Sequence, residues 1–165
     1  MTSLAISASL VVLAALAPIS EIRGAIPLAY VVAQDSNTKW LLVALAIACN
    51  SLIPFIALEA LQVLEGMLLR STNKVLSYVK QLYYRIVSRA RREGNKYLRR
   101  WGYLGLAVFV AIPLPMTGAW TASLIAHLFG LSKLRASLAI VIGVIIASVI
   151  VVLAMEGVIA IINLL

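Results

Sequence analysis

Two charged residues interrupt the first apolar stretch of the chain. Residues 1–20 and 24–34 contain no Asp, Glu, Lys or Arg, so Glu21 and Arg23 lie in apolar surroundings. A charge at the centre of a bilayer costs about 2.5–3.5 kcal/mol on insertion scales, so it needs a partner or a function. Two interpretations stay open. The pair neutralises itself or caps broken backbone, or the carboxylate couples to protons while the arginine binds an anion.

A second interruption, at residues 112–120, contains no charge but two prolines and a glycine. Pro113 and Pro115 lack backbone donors and cannot lie in a continuous helix. Thr117 is expected to cap the helix that follows, and Gly118 allows close approach of another backbone.

The first interruption has matching features. Gly24 again allows close approach, Pro18 precedes the break, and Pro27 suits the first turn of the helix that leaves it. Both outgoing helices would then direct free N–H groups to the same depth, which predicts an anion site. Asn50, within the first long apolar segment, is expected either to hold a hairpin tip or to contact substrate.

The candidate site therefore has three groups of residues. The proton-coupling residue is Glu21. The candidates for binding a substrate or anion are Arg23, Gly24, Asn50, Thr117, Gly118 and Trp120. The prolines expected to shape the tips are Pro18, Pro27, Pro113 and Pro115.

Composition excludes several classes of protein. Of 165 residues, 63% are hydrophobic and only 12% are charged, far from the roughly 25% charged residues of a soluble domain. Because the chain has one histidine and one cysteine, it has no set of ligands for a metal and no internal disulfide. No nucleophile elbow or phosphate-binding loop is present, so we expect no enzyme, no cofactor and no metal.

The segments on either side of the breaks are too short to cross a bilayer. Residues 25–33 and 103–112 would form helices of about 13–15 Å, against a hydrocarbon core of roughly 30 Å. Each broken pair is therefore predicted to be re-entrant. If each pair crossed once instead, Lys133 and Arg135 would lie opposite the basic connector, which the positive-inside rule disfavours.

The two halves resemble each other after a shift of 94 residues. Arg23-Gly24-Ala25 then falls on Thr117-Gly118-Ala119, and Lys39 falls on Lys133. With one crossing per half, the repeats are inverted, as in secondary transporters. We predict an all-α, polytopic integral membrane protein with two re-entrant helical hairpins and long transmembrane helices in an inverted repeat. The single membrane domain, 1–165, divides into repeat one, 3–62 (hairpin 3–33, span 40–62), a connector, 63–101, and repeat two, 102–165 (hairpin 102–131, span 134–165).

The net charge of +8 is concentrated in one stretch. Ten of the fourteen basic residues lie between Arg70 and Arg100. A cytoplasmic, interfacial segment at 66–101 of a multi-pass cell-membrane protein explains this better than nucleic-acid binding. The segment either contacts anionic lipids or serves topology alone. A second copy of the chain is a further expected partner, because short hairpins leave broken backbone to cover.

The two breaks carry a family resemblance. PISEIRGAIPLAY (18–30) and AIPLPMTGAWTASLIA (111–126) resemble the paired motifs of the small multidrug export protein family of bacteria and archaea, regarded as a relative of the DedA/VTT superfamily. The resemblance implies two re-entrant hairpins in an inverted repeat. It marks as motif positions Glu21, Arg23, Pro27, Pro113, Pro115, Thr117 and Gly118.

These observations predict a small transporter or exporter with a midplane site for an anionic or phosphate-bearing substrate. The substrate would be a drug-like molecule or a lipid carrier phosphate such as a polyprenyl phosphate, and transport would be coupled to protons. Two alternatives stay open. One is a lipid scramblase or flippase of the DedA type, and the other is a membrane-organising protein that transports nothing.

Overall fold

The described part of the chain is entirely helical. The computed structural model describes residues 2–70, 84–85, 87–88, 102–114 and 117–162, and most of the basic connector lies outside these ranges. Within them no strand occurs, which confirms the all-α class. Six helices of ten or more residues lie in the described ranges: α1 (Thr2–Leu16), α2 (Glu21–Val32), α3 (Ser36–Arg70), α4 (Gly102–Ala111), α5 (Ala119–Leu128) and α6 (Lys133–Ile162).

Two of these helices are long and apolar enough to cross a membrane. Helix α3 has 35 residues and α6 has 30, or about 52 and 45 Å at 1.5 Å per residue. Much of their surface is apolar and exposed rather than packed inside the protein. Water would penalise so much contiguous apolar surface, whereas hydrocarbon accommodates it. The exposed side chains include Leu41, Leu52, Ile56, Ile142, Val149 and Leu153.

Helices α3 and α6 run antiparallel. Lys39, near the start of α3, forms a 2.9 Å ion pair with Glu156 near the end of α6. Lys133, at the start of α6, forms a 2.7 Å ion pair with Glu59 in the second half of α3. The pair of long helices therefore has a Lys39 end, where Lys39 meets Glu156, and a Lys133 end, where Lys133 meets Glu59.

The four short helices form two hairpins that open at opposite ends of this pair. In the first, α1–α2, the Ser7 hydroxyl reaches the carbonyl of Val32, 3.4 Å away, just before the start of α3. In the second, α4–α5, the hydroxyls of Tyr103 and Ser132 are 3.1 Å apart, just before the start of α6. The turns of the two hairpins, called tips here, consequently meet between the ends.

Each hairpin has its own apolar core. Hairpin α1–α2 packs on the first half of α3 and on α6 around Ala147. Hairpin α4–α5 packs on the second half of α3 and the first half of α6. Where α6 crosses α4, Gly143 allows close approach, because a Cβ there would lie 2.6 Å from the Ala107 carbonyl oxygen. The polar residues of the breaks lie between the two cores.

Several helix boundaries differ from the sequence-based ones. Helix α3 runs from Ser36 to Arg70 rather than from 40 to 62, so the first residues of the expected connector continue a helix. Its early start follows from Asp35, whose carboxylate accepts the backbone N–H of Thr38 at 2.9 Å. Helix α2 begins at Glu21, so the placement of Pro27 in a first turn is wrong and Pro27 lies inside the helix.

Candidate functional site

The two tips are joined by the carboxylate of Glu21. One oxygen accepts the backbone N–H of Ala119 and the other accepts that of Trp120, both at 3.2 Å. These are the first two residues of α5, whose N-terminal N–H groups have no acceptor within the helix. Glu21 therefore caps a helix that begins 98 residues away, and its charge lies at the positive end of that helix dipole.

The backbone of both tips is shaped to allow the contact between Glu21 and the start of α5. Glu21 has a φ of 45°, a left-handed conformation that costs a non-glycine residue about 1–2 kcal/mol. Opposite it, a Cβ on Gly118 would lie 1.3 Å from a carboxylate oxygen of Glu21. Only glycine at 118 leaves room for the carboxylate, which is why that residue lies at the start of α5.

Arg23 ties the same two tips at a second point. Its guanidinium donates to the hydroxyl of Thr117 at 2.7 Å and to the carbonyl of Ile112 at 3.3 Å. The Thr117 hydroxyl lies 2.7 Å from the Ile112 carbonyl and 2.9 Å from that of Leu114, so its single proton has two acceptors. The expectation that Thr117 caps α5 is wrong, because Gly118 is the N-cap and the threonine hydroxyl serves the end of α4.

The broken end of α1 is also closed by side chains from elsewhere. The last carbonyls of a helix lack helical donors and need other partners. The carbonyl of Ala14 accepts the Ser20 hydroxyl at 2.6 Å, and that of Ala15 accepts the Asn50 amide at 2.7 Å. The carbonyl of Leu16 accepts the indole N–H of Trp120 at 3.0 Å.

Within the part of the chain that the structure describes, two buried side-chain atoms beside these contacts have no hydrogen-bond partner. They are Nε of Arg23 and Oδ1 of Asn50, and the Asn50 side chain is fully buried. Pro54 lies inside α3 and has no N–H to give to the carbonyl of Asn50 four residues earlier.

The structure brings most of the sequence-predicted site residues together, and Pro18 and Pro113 lie in the turns between the short helices, as expected. Glu21, Arg23, Asn50, Thr117, Gly118 and Trp120 all lie at the tips or bind them. Gly24 lies in the first turn after Glu21, where a Cβ would lie 2.6 Å from that of Ser20. Pro18 and Pro113 are exposed, and Pro115 lies outside the described residues.

Sequence reasoning did not connect three residues that the structure brings together at the Lys39 end. Tyr30 donates to a Glu156 carboxylate oxygen at 2.7 Å, and Lys39 binds the same oxygen. Because Tyr30 and Glu156 are 126 positions apart, no local pattern could have indicated the contact. Among the described residues, no cluster of three or more potential ligands could hold a metal ion.

The tips bring an acidic and a basic side chain to the start of one helix. The Glu21 carboxylate occupies the N-terminus of α5, and the Nε–H of Arg23 beside it has no partner among the described residues. Neither a curated protein nor a solved structure matches the chain. A family does match it, over residues 21–150, and its description reads "Putative small multi-drug export protein". This match covers most of the chain, including Glu21, Arg23 and the whole second tip, so the chain belongs to that family of small membrane proteins.

Proposed function

We propose that the protein is a proton-coupled membrane exporter whose Glu21 carboxylate occupies the site that an anionic substrate takes during transport. One observation carries the proposal. The N-terminus of α5 already binds an anion, the Glu21 carboxylate, through two backbone N–H groups. Helix N-termini bind phosphates and carboxylates in the same way. An anionic or phosphate-bearing substrate would compete with Glu21 for the same donors.

Protonation supplies the switch. A protonated Glu21 loses its charge, and its protonated oxygen becomes a weaker acceptor while the other oxygen still accepts. The N–H groups of Ala119 and Trp120 would then be held more weakly, and a substrate anion could displace the neutral carboxyl group. The free Nε–H of Arg23 would be a further donor close by. Proton uptake and anion binding would in this way become coupled at one place.

The proposal includes the membrane arrangement. Helices α2, α4 and α5 have 12, 10 and 10 residues, or about 15–18 Å, so none can cross a core of roughly 30 Å. Hairpins opening at opposite ends are what inverted, re-entrant repeats require. The repeat offset supports this, because Arg23 and Thr117, which are 94 positions apart, contact each other as equivalent residues on a pseudo-two-fold axis would.

One observation favours a different class of function. The polar contacts at the tips satisfy most of the broken backbone, which would suit a scaffold or lipid-organising protein that transports nothing. A lipid scramblase or flippase is the third possibility, and it differs from the exporter in moving lipid without a proton gradient. Transport measurements separate the three.

The test uses purified protein in liposomes with an imposed pH gradient. The probes are inorganic phosphate, a fluorescent organic phosphate monoester and a fluorescent polyprenyl phosphate. We expect gradient-dependent flux of at least one probe, flux insensitive to the gradient in Glu21→Gln, and no flux in Arg23→Ala. Asp35→Asn and Arg70→Ala, which remove one carboxylate and one guanidinium outside the tips, should retain the wild-type flux.

Each outcome decides between the classes. Absence of flux for every probe would refute the exporter and favour the scaffold that transports nothing. Flux of the polyprenyl phosphate alone, equal with and without a gradient, would establish the scramblase. Wild-type flux in Arg23→Ala would exclude arginine as the anion ligand.

A further inference from the structure

The Lys39 end is held by a cluster of side chains from three helices. Lys39 of α3 pairs with Glu156 of α6, and Tyr30 of α2 donates to the same carboxylate oxygen. The Lys39 ammonium also lies 4.8 Å from the ring centroids of Tyr30 and Trp40, within cation–π range. Only 20% of the Lys39 side chain is exposed, so this cluster is partly shielded from solvent.

The Lys133 end is held by contacts of the same kind. Lys133 of α6 pairs with Glu59 of α3, and His127 of α5 lies 3.3 Å from the Glu65 carboxylate of α3. The second arm of each hairpin is thus tied to a long helix at the end where that hairpin opens. The ion pair at the Lys133 end is the more exposed of the two, because the Lys133 and Glu59 side chains are 40% and 67% exposed. Water therefore weakens it more than the pair at the Lys39 end.

We propose that these two clusters are the gates of the transporter, one at each end, and that the structure shows the state in which both are closed. Opening of the Lys39 gate would separate α2 from α6 and expose the tips to that end alone. Opening of the Lys133 gate would free α5 from α3 and expose the tips to the opposite end.

The physical basis is that each cluster joins elements belonging to different halves. Tyr30 and Lys39 belong to the half that contains the first hairpin, whereas Glu156 ends the helix of the other half. Relative motion of the halves must break these contacts, and it must also shift Ala147 of α6 against the first core and the α3 residues against the second. This inference rests on the proposed transport, but its test requires no substrate.

The experiment measures access to the tips from each end. Cys49, the only cysteine, is replaced by alanine, and Ser123→Cys places one thiol on the buried face of α5. A membrane-impermeant maleimide is applied to either face of oriented vesicles. Lys39→Gln and Lys133→Gln are matched variants, since each removes one charge of the same type from one gate.

We expect Lys39→Gln to raise labelling from the Lys39 end roughly five- to tenfold and to leave labelling from the other end unchanged. Lys133→Gln should raise labelling from the Lys133 end about twofold, because a more exposed ion pair contributes less. The double variant Lys39→Glu/Glu156→Lys re-forms the ion pair with its charges exchanged and should restore slow labelling. If Lys39→Gln does not insert, Tyr30→Phe removes a single hydrogen bond from the same gate and should act in the same direction.

Two results would overturn the gates. One is labelling unchanged in every variant, and the other is an equal rise from both faces, which would indicate general loosening. Sided opening without flux of any probe would instead refute the proposed function and keep the gates. Flux without sided opening would refute the gates and keep the proposed function.

Discussion

Glu21 combines an unusual backbone with an unusual partner. Its φ of 45° is unfavourable for a side chain with a Cβ, and only 4% of the residue is exposed. Conformations of this kind persist only where the surroundings hold them, and they concentrate at functional sites. Here two hydrogen bonds from α5 hold the carboxylate, so loss of those bonds would also release the backbone strain.

At the residue scale, the space at Gly118 gives the clearest prediction. Gly118→Ala places a methyl group where the Glu21 carboxylate lies and must expel it from the helix N-terminus. We expect a loss of roughly 1–3 kcal/mol of stability, typical of overpacking, seen as a lower melting temperature in detergent. Gly66→Ala is the control, because open space surrounds that position in α3 and alanine favours a helix by about 0.5–1 kcal/mol. Equal effects of the two changes would contradict this role for Gly118.

At the element scale, the short helices depend on caps supplied from other parts of the chain. Helix α5 has ten residues and no side-chain cap of its own, and helices shorter than about 12–15 residues are marginal alone in water. Glu21 caps its start, while Asn50 and Trp120 close the end of α1. Each hairpin therefore receives part of its capping from the other, through Glu21 and Trp120.

The contact between α4 and α6 depends on a small residue. Gly143→Ala brings a Cβ within 2.6 Å of the Ala107 carbonyl oxygen and 2.7 Å of the Val110 Cβ. We expect roughly 1–3 kcal/mol of destabilisation, measured by thermal unfolding in detergent. Gly157→Ala on the same helix meets nothing within 4 Å and should be neutral or stabilising. A neutral Gly143→Ala would show that α4 can shift away at no cost.

The start of α3 should respond to acid. The backbone N–H and hydroxyl of Thr38 hold the pKa of Asp35 below its ordinary value. A pKa lowered by folding means that Asp35 contributes stability above its unfolded pKa of about 3.9, and that this contribution is lost as pH falls through the folded value. The melting temperature of Asp35→Asn should therefore lie below that of the wild type at pH 7 and approach it near pH 3. A difference independent of pH would contradict this role for the carboxylate.

At the scale of the whole molecule, two hairpins face each other across a layer of charged and polar contacts. The core of each hairpin includes parts of both long helices, so neither half is independent of α3 or α6. Ion pairs hold the two ends of the long helices, and the tips meet between them. Opening toward one end must therefore repack the residues that a long helix contributes to the core of the other half.

The membrane topology can be tested directly. In a Cys49→Ala background, cysteines at positions 36 and 133 mark the starts of α3 and α6, which lie at opposite ends of the antiparallel pair. A membrane-impermeant thiol reagent should label them from opposite faces of the membrane. Labelling of both from the same face would refute the inverted, re-entrant arrangement.

Some of this protein follows from sequence because the responsible forces are local or compositional. The apolar fraction and the two uninterrupted segments determine the all-α class and the long helices, since hydrocarbon requires satisfied backbone over a sufficient length. Pro113 and the cluster at residues 18–24 likewise indicate the breaks, because proline removes a backbone donor and a buried charge is costly in hydrocarbon. Proline alone does not decide the matter, since Pro27 and Pro54 lie inside helices.

Only the tertiary structure decided what the breaks do. The sequence placed Glu21 and Arg23 beside each other but left open whether they pair or serve another group. In the fold, Glu21 caps α5 and Arg23 binds Thr117, contacts that join positions 94–99 residues apart. The roles of Thr117 and Pro27 were misjudged for the same reason. The group that caps a helix is the one that packing brings next to its end. When that group is distant along the chain, the spacing of nearby residues does not reveal it.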